Sequence, residues 1–410
     1  MKNSGMSGGL FFVDANGRRV SYADFCDLCA RETVYNPYCK GGALDVFKSL
    51  MMSLVFDREL TLLDESFSDS ELGQLLGFSD ISARAVPAPR ADWGRVCAAL
   101  EQGALASVLP LKNWRLRLFT SGSEGRPKSV LHDFASISKA LKISPWHAPD
   151  VWGFAYNPAH IAGVQVFLQA LFNGSALVDI CGKPKAEVFA RISAENITHI
   201  SATPAFFRLL ADSSASFASV RRLTSGGEAF DARAMAALSK MFFNAKILNA
   251  YASTEFGSLM FAEGEYFDLA GDMKVENGEL FVRAPLGCGG GSVWRPTGDL
   301  VEFAPNSAQK VRFVSRRGDM LNVGGYKVNP LEVEAALRGV DGVFDALVYG
   351  VPNRVLGCIV GADIVARAGV SEELVRKALQ TRLQGFKIPR IIKFVEHLAK
   401  TSTGKIKRRA

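Results

Sequence analysis

Four segments between Ala176 and Gly257 constrain this chain most. "ALVDI", "ITHISATP", "VRRLTSGGEAF" and "KILNAYASTEFG" each read as a short apolar strand running into a polar or glycine-containing loop, usually with a helical stretch behind it. Strands alternating with helices build α/β layers around a largely parallel sheet, where ligands sit at the carboxyl ends of the strands. The window from Val151 to Val178 joins this pattern. It holds no Asp, Glu, Lys or Arg, but Asn157, Pro158, His160, Gly163 and Asn173 interrupt it, so it reads as buried strand, loop, helix and strand and not as a membrane span. Upstream, "GRRVSYADF" reads as strand, turn and helix start, and "DVFKSLMMSLVFDRELTLLD" as a helix leading into a strand. "SARAVPAPRADW" reads as a linker that ends a small region over residues 1–92.

The pattern changes near Glu279. "GELFVRAP", "VWRPTGDLVEF" and "KVRFVSRRGDM" alternate apolar and polar residues between turn signals, as antiparallel ribbons do. After Asp319 an α+β pattern follows: "NPLEVEAALRGV" as helix, "VFDALVYGVP" as strand, "SEELVRKALQTRL" as helix and "RIIKFVEHL" as strand. The expected boundary is Gly318-Asp319, giving domains at 1–318 and 319–410. The segment from Asp319 carries 15 Lys and Arg against 9 Asp and Glu, so most of the +7 net charge belongs to it. A basic end of this kind can meet nucleic acid, a membrane surface or a phosphorylated small molecule. Nothing else in it resembles a nucleic-acid module. The opening "MKNSGMSGGLFF" lacks the apolar core of a secretory signal, so a cytoplasmic location is expected. Seven scattered cysteines are then expected as free thiols, and the Cys26/Cys29 pair has no partner pair at zinc spacing.

The stretch "LFTSGSEGRPKSV" over residues 118–130 carries anion-binding chemistry. Thr120, Ser121 and Ser123 bring hydroxyls, Gly122 and Gly125 let backbone N–H groups converge, and Lys128 adds a cation. It is not a Walker loop. Pro127 stands directly before Lys128, removing an N–H and holding the chain extended, and the apolar flanks predict a strand on both sides. A solvated Ser/Gly hairpin is the competing reading of these residues taken alone.

Five segments in order resemble the adenylate-forming acyl- and aryl-CoA synthetases and the related adenylation domains of peptide synthetases. "TSGSEGRPK" resembles their phosphate loop, "NAYASTEFG" the segment carrying their Thr-Glu pair, and "RPTGDL" their Thr-Gly-Asp turn. "SRRGDMLNVGGYKVNPLEVE" resembles their hinge segment and "KTSTGKIKRR" their C-terminal lysine motif. The resemblance runs over nearly the whole chain. It implies a large N-terminal domain of layered α/β subdomains with an antiparallel ribbon or barrel, and a small mobile α+β lid carrying the catalytic lysine.

The implied activity joins a carboxylic acid to the α-phosphate of ATP, releasing pyrophosphate, and then passes the acyl group to a thiol. The thiol belongs to coenzyme A or, alternatively, to the phosphopantetheine of a carrier protein acting in trans. Such chemistry relies on positioning and on neutralising the charge of two anions brought together. By the same resemblance Thr120, Ser121, Gly122, Ser123, Gly125 and Lys128 would grip the departing phosphates, and Tyr251 would lie against adenine. Thr254 would meet the α-phosphate, and Glu255 would hold Mg²⁺, a hard cation suited to oxygen ligands. Asp299 would accept the ribose hydroxyls with Arg316 nearby, and Gly226, Gly227 and Glu228 would separate the acyl pocket from adenosine. His160, in "YNPAHIAGVQVF", would border the acyl channel. Lys405 would neutralise the reacting anions, Gly324 and Gly325 would line the path of the thiol, and Asp319 would be the hinge.

Each of these residues has a plainer reading: Glu255 as a helix N-terminal acid, Asp299 as a turn aspartate, Arg316 as a ribbon arginine, His160 as a structural histidine and Lys405 as part of a solvated basic tail. The chain also departs from the family pattern. Glu124 stands where threonine is usual, Ala252 where glycine is, Asn322 where lysine is and Ala399 where proline is, and the region before the phosphate loop is short. These departures motivate a further alternative, a non-catalytic nucleotide-binding homologue. No nucleic-acid partner and no membrane span are expected.

Overall fold

A computed structural model describes residues 9–120, 128–211, 214–226, 232–253, 257–285, 292–323, 326–353 and 356–398. The chain packs into two compact units that divide between Leu259 and Met260. The ribbons after Glu279 therefore pack with the C-terminal part of the chain, and Gly318-Asp319 lies inside the second unit.

The first unit is built on an eight-stranded sheet. Six neighbouring strands run parallel in the order Lys246–Ser253, Arg222–Gly226, His199–Ala202, Val151–Phe154, Ala176–Asp179 and Leu10–Val13. Arg19–Ser21 is antiparallel at one edge, and Gly257–Ala262 closes the other. The parallel strands read as continuous apolar runs because both faces are covered. Helix Ile161–Asn173 explains the uncharged window. Nine of its residues are buried, as a helix apolar over most of its circumference requires, and Gly174 ends it in the left-handed region at φ 68°.

A second sheet orders Tyr38–Cys39, Glu59–Leu62, Arg115–Thr120 and Lys128–Asp133. The strands flanking the glycine-rich loop thus form an antiparallel hairpin, with Thr120 opposite Lys128. The core between these layers is aromatic. Phe47 stacks on Phe167 at 4.6 Å, Phe11 on Phe25 at 4.1 Å, and the fully buried Trp114 donates its indole N–H to Ser53 Oγ at 2.9 Å.

The cysteine expectation is corrected here. Helices Tyr22–Ala30 and Trp93–Glu101 pack together and bring Cys26 to Cys97, which are joined by a disulfide across 71 residues of sequence. Cys29, Cys39, Cys181 and Cys358 are free thiols. Among the described residues no helix is long and apolar enough to cross a membrane.

The second unit holds a five-stranded antiparallel sheet ordered Phe267–Asp268, Ser307–Arg316, Ser292–Ala304, Glu279–Pro285 and Met273–Glu276. It also holds a three-stranded sheet of Val343–Asn353, Gly357–Ala366 and Ile391–Phe394, covered by helices Pro330–Arg338 and Glu372–Gln380. Val333, Leu337, Val348, Val360, Ile364, Val375 and Leu379 form the core of that part.

Candidate active site

In the first unit, Gly226 and Tyr251 lie toward the carboxyl ends of two neighbouring parallel strands. Gly226 ends its strand beside Ala250, and a Cβ on it would lie 3.2 Å from the Ala250 carbonyl oxygen. Glycine here lets the neighbouring backbone approach closely. Tyr251 follows Ala250 and is half-buried. The chain then resumes at Gly257 as a strand and not as a helix. Thr254, Glu255, Gly227 and Glu228 lie outside the described residues. Tyr156, just past the Val151–Phe154 strand, is buried and hydrogen-bonds Ser201. Burial pushes its phenol up to about 12, so it stays neutral and protonated.

The hairpin Arg115–Thr120 and Lys128–Asp133 forms the mouth of the glycine-rich loop, closed by the facing pair Thr120 and Lys128, with Lys128 exposed. Ser121, Gly122, Ser123 and Gly125 lie outside the described residues. Beside this hairpin, in parallel register, runs Glu59–Leu62 with Thr61 next to Arg117. Leu63 and Phe119, just past that register, share a small apolar cluster.

His160 heads helix Ile161–Asn173, where a side chain ordinarily caps the first N–H groups. Its imidazole makes no such cap. Its Nε2 donates instead to Asp64 Oδ2 at 2.8 Å. Asn157 Nδ2 donates to the same oxygen at 2.9 Å, and the Ser66 N–H donates to Asp64 Oδ1 at 2.9 Å. The Asp64 carboxylate is 6% exposed and the His160 side chain 19%. Asp64 was not singled out from the sequence, where it reads as one more turn aspartate after an apolar strand.

In the second unit Asp299 is buried and lies in register with Arg316, whose Nε donates to Asp299 Oδ1 at 2.9 Å. Thr-Gly-Asp is not a turn but lies within the Ser292–Ala304 strand, where the ladder is irregular: Gly298 takes φ +79°, and Thr297 Oγ1 accepts the Asp299 N–H at 3.1 Å. A second pair lies alongside: Glu279, also buried, accepts from the Gly298 N–H at 3.0 Å and from Arg317 Nη2 at 2.7 Å. Sequence reasoning missed Glu279, because a glutamate opening a strand carries no signal of its burial. Asp319 closes the 3₁₀ turn Arg317–Asp319. Gly324, Gly325 and Lys405 lie outside the described residues. Among the described residues no three His, Cys, Asp or Glu side chains group to hold a metal ion.

The sheet order, the hairpin and the buried Thr-Gly-Asp carboxylate can be set against known proteins. Residues 100–279 match the model of the AMP-binding enzyme family, and residues 332–405 match that of the AMP-binding enzyme C-terminal domain. The chain belongs to the AMP-binding enzyme family. Among similar proteins is a dioxo-octahydroindene-propanoyl:CoA ligase of Rhodococcus jostii, 28% identical over 375 residues that cover 82% of this chain and 70% of the relative. A 2-succinylbenzoate–CoA ligase of Bacillus licheniformis is 26% identical over 330 residues, covering 71% and 68%. The solved structure of o-succinylbenzoate CoA synthetase from Bacillus subtilis, with its acyl-adenylate intermediate, superposes with a TM-score of 0.71 at 18% identity, over 97% of this chain and 94% of that one. At that identity the likeness is one of fold. The family fold accounts for the α/β architecture with a large N-terminal part and a small C-terminal one.

Proposed function

We propose that this AMP-binding enzyme is a cytoplasmic ATP-dependent acid–thiol ligase that activates a carboxylic acid as acyl-AMP, releases pyrophosphate and transfers the acyl group to coenzyme A. The observation that carries the proposal is Asp299. Read from the sequence as a turn aspartate that belongs in solvent, it lies instead within a strand, 6% exposed and braced by Arg316 in register. A carboxylate held in place by a guanidinium presents a rigid pair of acceptor oxygens, the chemistry that suits the vicinal diol of a ribose. The CoA ligases among its relatives support the same reading.

The chain's donor set fits the substrates. Thr120 and Lys128 close the mouth of the phosphate loop, whose Ser121, Gly122, Ser123 and Gly125 supply hydroxyl and N–H donors to the departing phosphates. Tyr251 offers a ring to adenine, Asp299 and Arg316 hold the ribose, and Thr254 donates to the α-phosphate. Mg²⁺ binds through one or two carboxylates plus substrate phosphates, so Glu255 is enough as its protein ligand. Bound there, it neutralises phosphate charge. Lys405 offsets the repulsion as a carboxylate oxygen attacks the α-phosphorus and pyrophosphate leaves. In the second step the thiol sulfur attacks the acyl carbon, the bond to the AMP oxygen breaks and the thiol proton is lost. Gly226, Gly227 and Glu228 divide the acyl pocket from the nucleotide, and Gly324 and Gly325 line the approach of the pantetheine arm. Residues 319–410 act as a lid turning at Asp319.

Pyrophosphate release across a panel of carboxylic acids, with coenzyme A and a phosphopantetheinylated carrier protein added separately, tests this. The expected result is acid-dependent release, with thioester formed when coenzyme A is supplied. Thioester appearing with the carrier protein alone would overturn the assignment of coenzyme A, and no release with any acid would overturn the ligase reading.

A further inference from the structure

Asp64 has no part in the reaction as set out above, yet it is one of the most completely fastened carboxylates of the first unit. Both of its oxygens accept N–H donors, Oδ1 from Ser66 and Oδ2 from Asn157 and His160, at 2.8 to 2.9 Å. Asn157 is held in turn: its Oδ1 accepts the Ala159 N–H at 2.9 Å, and its carbonyl accepts the His160 N–H at 3.2 Å. The turn can form because Gly163 has no Cβ, which would lie 2.3 Å from the Asn157 oxygen. The whole assembly fixes one imidazole.

Since a carboxylate accepts and does not donate, Nε2 of His160 carries a proton toward Asp64, which leaves Nδ1 as the ring atom able to accept one. The ring stays partly exposed. It stands past the carboxyl end of the Val151–Phe154 strand, and Asp64 follows the Glu59–Leu62 strand, which runs parallel to Arg115–Thr120, the arm of the hairpin that leads into the phosphate loop. A carboxylate that orients an imidazole and steadies its protonated form is the general arrangement of an activated base.

We propose that Asp64 and His160 form a carboxylate–imidazole dyad in which Asp64 is the positioning residue and His160 takes the proton of the incoming thiol. The inference rests on the ligase reading. The thiol proton passes to Nδ1, sulfur bonds to the acyl carbon, the bond from that carbon to the AMP oxygen breaks, and AMP leaves with its electron pair. Asp64 stays ionised and offsets the charge of the imidazolium.

The test separates the two half-reactions in the full-length protein: acid-dependent pyrophosphate release, and transfer from presynthesised acyl-adenylate to coenzyme A. His160→Gln leaves Asp64 and Asn157 in place and is expected to slow transfer by about 10²-fold or more, the range for general-base catalysis, with a much smaller effect on pyrophosphate release. Asp64→Ala is expected to slow the same step by roughly tenfold or more, but to add little in a His160→Gln background, because it acts through the imidazole. Added imidazole should partly restore transfer in His160→Gly. Equal slowing of both half-reactions, or an Asp64→Ala effect of the same size in both backgrounds, would overturn the dyad. Absence of acid-dependent pyrophosphate release in the unsubstituted enzyme would instead overturn the ligase reading beneath it.

Discussion

At the scale of single residues, two close approaches make opposite kinds of prediction. Gly163 faces the Asn157 carbonyl so tightly that any side chain must push the turn aside. Gly163→Ala should cost about 1–3 kcal/mol, the usual penalty of overpacking, measured as a lowered urea midpoint. An unchanged midpoint would mean the turn yields freely. Asp299→Ala should weaken AMP binding by about tenfold or more in calorimetry, because it leaves substrate hydroxyls unpaired, with a smaller effect on folding. Unaltered AMP affinity would contradict the ribose role. Asp299 stood out in the sequence because it sits in a Thr-Gly-Asp motif, although the structure makes that segment part of a strand and not a turn. Asp64 was not: its partners His160 and Asn157 lie 96 and 93 residues away, and what makes it unusual is burial, which no local pattern records.

At the scale of elements, the amino ends of the parallel strands carry their own titration. His199 opens its strand with its ring tilted against Trp152 at 4.7 Å, Asp150 within 3.7 Å, and Arg221, Arg222 and His147 around it. Burial pushes its imidazole down to about 4, against the pull of Asp150, which would raise it. A folded-state value below the unfolded 6.5 means the fold favours the neutral ring. The stability this contributes is complete above pH 6.5 and is lost as pH falls toward 4. Unfolding midpoints measured across that window should decline in the native protein and decline less in His199→Asn; parallel curves would rule the histidine out. The parallel strands were readable because buried strands are continuous apolar runs. Strand Gly357–Ala366 was missed because Gly361 and Asp363 break its alternation. Both answer to Tyr349 on the paired strand: the ring leaves no room for a Cβ at 361, and its hydroxyl donates to Asp363 at 2.8 Å. The Cys26–Cys97 link was hidden in the same way, because it depends on which helices pack together.

At the scale of the whole molecule, period changes along the sequence marked a shift at Gly318-Asp319, whereas compactness divides the chain between Leu259 and Met260. The two criteria differ because antiparallel ribbons pack with whatever covers them, while a hinge needs only a short segment that can change its dihedrals. Asp319 ends a 3₁₀ turn, and fixing its φ with proline should trap one arrangement. Asp319→Pro is expected to release pyrophosphate in a single turnover and fail to make thioester. Lys405→Ala should show the reverse, losing roughly 10²–10³-fold in adenylation and much less in transfer. Normal thioester formation by folded Asp319→Pro would exclude a hinge there. The central claim, that a carboxylate oxygen is joined to the α-phosphorus, is tested most directly by isotope transfer. With an acid labelled by ¹⁸O in its carboxylate, ATP and coenzyme A, the AMP produced should carry one ¹⁸O in its phosphate by mass spectrometry. Turnover that yields only unlabelled AMP, or ADP in its place, would contradict the account.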